Sequence, residues 1–159
     1  MIKVGDKIPS ATLTIMSSEG PRQISTDELF AGKKVVLFAV PGAFTPTCSN
    51  AHLPGYVEMA DDILAKGVDS IVCLSVNDAF VMDAWGRDQK VGEQILMVAD
   101  GNADLTRALG LETDLGVAGL GIRSQRYAMV VEDSVVTLLE VEKPKTFEVS
   151  SAEAILEKL

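Results

Sequence analysis

A chain of 159 residues, 47% of them hydrophobic, is long enough to bury one ordinary core without disulfide staples, and 14 basic against 23 acidic residues give a formal charge of −9. No lysine or arginine cluster offsets that excess, which argues against binding nucleic acid or an anionic membrane surface. No stretch approaches the ~18 apolar residues of a membrane span, and Met1-Ile2-Lys3-Val4-Gly5-Asp6 holds no apolar run, so a soluble cytoplasmic protein is expected.

Ala11, Leu13 and Ile15 alternate with polar residues as in a half-buried strand, and Ser17-Ser18-Glu19-Gly20-Pro21 reads as the turn of a hairpin. Residues 25–30 read as a short capped helical turn. The run KVVLFAV at 34–40 lacks polar alternation, as a strand covered on both faces would. A helix is predicted from Cys48 to about Lys66, closed by Gly67 and kinked near Pro54, whose ring removes a backbone bond. Residues 68–76 follow as another buried strand. Asn77-Asp78 then caps a helix over 79–89 that buries a broad face of Phe80, Val81, Ala84 and Trp85.

Residues 95–99 read as a short strand, 103–109 as a helix stopped by Gly110, and the glycine-rich 110–121 as a loop. Strands at 126–131 and 135–141 join as a hairpin through Glu132-Asp133-Ser134. Ser150 or Ser151 caps a last helix over 152–159 with Ile155, Leu156 and Leu159 as its apolar stripe. Strand-helix-strand-helix-strand, then a hairpin and a closing helix, is an α/β layer fold with a mixed central sheet, here one domain over 1–159.

Packing does not explain the stretch Pro41-Gly42-Ala43-Phe44-Thr45-Pro46-Thr47-Cys48-Ser49-Asn50-Ala51-His52. Pro46 suits a helix entry, Thr45 or Thr47 can cap it, and Cys48 falls in the first turn, where free N–H groups and the helix dipole stabilise negative charge. A thiol so placed loses its proton more readily than a free one, and the thiolate is the nucleophile. Only Cys48, Cys73 and His52 are available as soft metal ligands, short of the four that a closed zinc site needs; no metal and no cofactor is expected.

The order P-x-x-x-T-x-x-C at Pro41, Thr45 and Cys48 resembles the active-site motif of the peroxiredoxins, and P-G-A-F-T-P-T-C-S-x-x-H-x-P-G-Y is similar to their type II (fifth) subfamily. V-N-D-A-F-V-M-D-A-W (76–85) and G-I-R-S-Q-R-Y-A-M-V (121–130) carry the likeness over nearly the whole chain. The resemblance implies a thioredoxin-like fold with an N-terminal β extension. It also implies a thiol peroxidase that reduces hydrogen peroxide and alkyl hydroperoxides through a sulfenic acid at Cys48. Ser134 stands where the subfamily often has glycine, which leaves the turn type of that hairpin open.

By the same resemblance Arg126 reaches Cys48 from a distant strand and bonds sulfur and peroxide, Thr45 donates its hydroxyl to peroxide beside the Cys48 N–H, and Pro41 shields the sulfur. Arg123 is the nearest rival to Arg126, or else a surface salt bridge. His52, one turn past Cys48, either supports the site or is a helix histidine bonded to a carbonyl; Phe44 and Trp85 are packing or interface residues. Cys73 matches the second cysteine of plant and some bacterial relatives, yet its mid-strand position argues for a buried, inert thiol. Glutathione, glutaredoxin or thioredoxin would then resolve Cys48, and a homodimer is implied by likeness. A C-x-x-C carrier is the first rival class, but Thr45 occupies the place of its first cysteine. A cysteine hydrolase would lack a third orienting group, and a binding module would leave Cys48 idle.

Overall fold

The computed structural model describes residues 1–159. Strands β1 (Thr12–Ser17) and β2 (Gly20–Ser25) form the expected antiparallel hairpin, with Leu13 and Ile15 facing the core. Ser25 caps helix α1 (Thr26–Phe30), its hydroxyl accepting from the Glu28 N–H. Strands β3 (Lys34–Val40), β4 (Ser70–Ser75) and β5 (Ile95–Ala99) pair in parallel. β8 (Tyr127–Glu132) runs antiparallel to β3, and β9 (Val135–Val141) is antiparallel to β8. The seven-stranded mixed sheet has the order β2-β1-β5-β4-β3-β8-β9.

Why 34–40 shows no polar alternation is now evident. Val36, Phe38 and Val40 enter one core, with Leu53, Tyr56, Trp85 and Ile155, while Val35, Leu37 and Ala39 enter a second on the opposite face, with Phe30 and Leu105. Helices α2 (Leu53–Leu64), α3 (Ala79–Asp88) and α5 (Ala152–Leu156) cover the first face; α1 and α4 (Asp104–Ala108) cover the second.

Several expectations shift. The helix expected from Cys48 begins two residues earlier, at Pro46, and widens into a π turn over Cys48–His52, closed by the Leu53 N–H on the Cys48 carbonyl, before α2 begins. Pro54 lies within this continuous helical run, directly after the π turn. Of the predicted face of α3 only Trp85 is fully buried: Phe80 is 66% exposed, Val81 and Ala84 are half-buried, and Ala79, Met82 and Gly86 are buried with Trp85. Asp78 alone caps α3, through the Val81 N–H. The predicted loop at 110–121 holds β6 (Glu112–Asp114) and a 3₁₀ turn, and β6 pairs with β7 (Ile122–Ser124). Both strands are three residues long, too short to show a period.

The final helix ends at Leu156, short of the predicted 159, and Ser151 is its cap. At the β8–β9 turn Asp133 and Ser134 have φ of 47° and 68°, the left-handed pair that a two-residue type I′ connection requires. Ser134 tolerates this without glycine because neighbours hold the turn: Gly32 N–H donates to the Asp133 carboxylate, and Ile8 N–H to the Ser134 carbonyl.

Candidate active site

Parallel β3 and β4 end at the same edge, where Val40 lies beside Ser75. The chain leaving β3 there becomes the 41–52 stretch. Asn77 braces it: its side-chain oxygen accepts from the Ala43 N–H at 2.9 Å and from the Ser75 hydroxyl at 2.6 Å. Phe44 then adopts φ of 63°, a left-handed conformation that costs a bulky residue roughly 1–3 kcal/mol and persists only where surroundings enforce it. Trp85, fully buried, donates its indole N–H to the Ser49 hydroxyl and fixes the turn that carries Cys48.

Thr45 opens the helix with its carbonyl, which accepts from the Ser49 N–H, while its hydroxyl donates to the Gly42 carbonyl at 2.7 Å. Two expectations are corrected here. Neither Thr45 nor Thr47 caps the helix through its side chain, and the Thr45 proton is already engaged, which leaves its oxygen lone pairs to accept from a bound hydroxyl. Gly42 sits in close quarters: a Cβ there would lie 3.0 Å from the Arg123 guanidinium and 3.1 Å from the Thr45 methyl, so a side chain would require both to shift slightly.

Arg126 directly precedes β8, whose register sets Tyr127 beside Ala39 and so brings residue 126 to the end of β3. Its guanidinium donates to Cys48 Sγ at 3.1 Å and to His52 Nδ1 at 2.8 Å, and lies over the Phe147 ring at 5.8 Å. Arg123 sits on a different strand, β7, and is neither a second sulfur ligand nor part of a salt bridge. It donates to the carbonyls of Leu120 and Pro41 and holds the loop.

A guanidinium has no acceptor, so His52 Nδ1 must accept and the ring carries its proton on Nε2, which donates to the Ser150 carbonyl at 3.0 Å. His52 is thus bonded to a backbone carbonyl, one of the two expectations for it, and also contacts Arg126. Burial, and then the Arg126 charge, push its pKa down to about 3 against opposing effects of Ser150 and Glu142. The ring is neutral at working pH. Proton NMR of His52 is expected to show no titration between pH 5 and 8; an inflection near the ordinary 6.5 would contradict the geometry. Because the folded value is depressed, stability is full above pH 6.5 and declines by about 1.4 kcal/mol per pH unit below it, as the unfolded chain takes up the proton.

Cys48 is fully buried. Arg126, which touches its sulfur, lines a cavity of about 650 Å³ with Pro41, Thr47 and Phe147. Cys73 is also fully buried, in mid-β4 between Phe38 of β3 and Met97 of β5. Burial, and then the neighbouring Cys48, push its thiol well above the ordinary range. Both thiols are free, and no group of three or more His, Cys, Asp or Glu residues is placed to hold a metal ion. No helix is long and apolar enough to cross a membrane. Sequence reasoning missed Asn77 as a brace and Glu142 altogether, met Tyr56 only as a motif letter and Ser150 only as a possible helix cap. Most of their bonds run to backbone groups far away in the sequence, which no residue pattern announces.

Comparison with known proteins agrees with this geometry. The family model for redoxins matches residues 3–156. The chain is 53% identical over 163 residues to the chloroplastic peroxiredoxin-2E-2 of Oryza sativa, covering 99% of this chain and 72% of that protein. It is 49% identical to peroxiredoxin-2B of Arabidopsis thaliana, covering 99% and 98%. The structure of reduced Prx3 from Vibrio vulnificus in complex with hydrogen peroxide superposes with a TM-score of 0.96 at 61% identity, over 99% of both chains. Thiol redox chemistry on a thioredoxin-like fold is the class these matches define. The chain belongs to the peroxiredoxins, within the type II subfamily, and is a thiol peroxidase.

Proposed function

We propose that Cys48 is the sulfur that attacks peroxide, that Arg126 and Thr45 hold the substrate against it, and that Pro41 walls the sulfur off from water. The contact between Arg126 and Cys48 Sγ carries this reading. The thiolate attacks one oxygen of a hydroperoxide, the S–O bond forms as the O–O bond breaks, and the leaving oxygen takes a proton to depart as water or an alcohol. Arg126 offers several fixed N–H donors, so one side chain stabilises both the sulfur anion and the charge growing on the leaving oxygen. The Thr45 hydroxyl, already donating to Gly42, accepts from the peroxide O–H and orients it. Cys48 is left as a sulfenic acid; an external thiol displaces water from it, and a second thiol then releases Cys48 and a disulfide.

Burial of Cys73 supports an external reductant: glutathione, glutaredoxin or thioredoxin. A bridge needs Cα atoms within about 7 Å and matching Cβ directions, and Cys73 is fixed on both sides by strand pairing. Cys73→Ala is expected to keep hydroperoxide turnover within about twofold of the unmodified enzyme when each reductant is supplied in turn. Loss of turnover in that variant, with an internal Cys48–Cys73 bridge in the unmodified enzyme, would overturn the one-cysteine cycle. A cytoplasmic setting belongs to the same proposal and is tested by locating the protein after cell fractionation. Phe44, 53% exposed on the stretch that carries Cys48, supports a homodimer, which analytical ultracentrifugation would detect or refute.

A further inference from the structure

We propose that Glu142 is a positioning residue for the peroxidase reaction: its carboxylate folds residues 146–150 into the shape that holds His52, and through His52 the Arg126 guanidinium against Cys48. The inference rests on the role assigned above to Arg126. β9 ends beside the start of β8, and the Glu142 N–H donates to the Arg126 carbonyl, so the two residues are neighbours across the sheet. The Glu142 side chain nevertheless makes no salt bridge, with Arg126 or with any other cation.

Only 7% of Glu142 is exposed, and its carboxylate gathers five donors from the loop that follows, the Thr146 hydroxyl being shared with the Lys143 carbonyl at 2.7 Å. The N–H groups of Glu148, Val149 and Ser150 reach Oε2 at 2.8, 2.9 and 2.9 Å, the Ser150 hydroxyl at 2.7 Å, and the Thr146 hydroxyl reaches Oε1 at 3.1 Å. Burial pushes this carboxyl up, but the Ser150, Glu148 and Thr146 bonds outweigh it and the net shift is downward, so the anion persists through the neutral range.

What the staple holds in place is the Ser150 carbonyl. It accepts from His52 Nε2 at 3.0 Å and from the Tyr56 hydroxyl at 2.8 Å, while Phe147 of the same loop packs on His52 at 4.9 Å and under the Arg126 guanidinium. With Nε2 so occupied, Nδ1 is fixed as the acceptor for Arg126. An unpaired carboxylate would be expensive to bury unless its bonds were all used, and here every one of them shapes the wall behind Arg126.

In Glu142→Gln one oxygen becomes an NH₂ group that repels the same donors, so the loop loosens and Arg126 loses its rear support. The second-order rate with hydrogen peroxide at pH 7 is expected to fall about 10- to 100-fold, and the slowly exchanging His52 Nε2–H signal to disappear. His52→Phe keeps an aromatic body in the same pocket; in that background Glu142→Gln should cost much less than it does alone, because the route through His52 is already cut and only the packing of Phe147 under Arg126 is left to lose. Ser150→Ala, which deletes one donor and leaves the fold's backbone bonds, should slow the reaction in the same direction by a smaller factor and guards against failure of Glu142→Gln to fold. An unchanged rate in both Glu142→Gln and Ser150→Ala, or fully additive losses with His52→Phe, would overturn the proposal. An unchanged rate on replacing Arg126 itself would instead overturn the reading on which it rests.

Discussion

Cys48→Ser is expected to lose hydroperoxide turnover by at least about a thousandfold, whichever reductant is supplied. A serine hydroxyl does not ionise in this range and does not carry oxygen through a sulfenic acid, so no other group on the chain can take over. Cys73 is the one remaining thiol, and its burial in mid-strand keeps it protonated and out of reach of solvent. The fold should survive the change, since a serine is nearly isosteric and the Arg126 guanidinium can donate to its hydroxyl. Stopped-flow consumption of hydrogen peroxide checks the rate. Undiminished turnover in Cys48→Ser would remove the basis for the mechanism.

Arg126→Gln is the second large effect, an expected loss of about 10²- to 10³-fold in the second-order rate with peroxide, the usual consequence of deleting one preorganised donor to developing negative charge. Glutamine also gives His52 Nδ1 and Cys48 Sγ no cation, so both lose their shared anchor. Arg126→Lys restores the charge but presents a single ammonium where the native fork serves sulfur and imidazole together, and it should recover only part of the rate. A lysine variant equal to the unmodified enzyme would show that charge alone matters and that the fork geometry does not.

The contrast between Cys48 and Arg126 shows what the sequence could and could not reveal. Cys48 is legible because helix-entry residues surround it locally. Arg126 lies 78 residues away, and only the pairing of β3 with β8 brings it near, so spacing alone could not choose it over Arg123; the family motif did. The unbroken apolar run of β3 announced a strand with two covered faces. The pattern of α3 misled, with Phe80 exposed and Met82 and Gly86 buried beside Trp85, because apolar spacings of one, three and four do not fix which way a helix faces. Glu142 was invisible: a single glutamate after a strand reads as surface charge until its five donors are seen. The π turn at Cys48–His52 was hidden too, since a proline six residues past the start of a predicted helix suggests a kink and does not specify a widened turn.

Treating the fully reduced protein with one equivalent of hydrogen peroxide, trapping sulfenic acid with a carbon nucleophile and locating the adduct by mass spectrometry reaches the centre of the matter. The adduct should lie on Cys48, with peroxide consumed in equal amount and Cys73 still a free thiol. Peroxide left unconsumed, or oxidation at Cys73 while Cys48 stays reduced, would contradict the account.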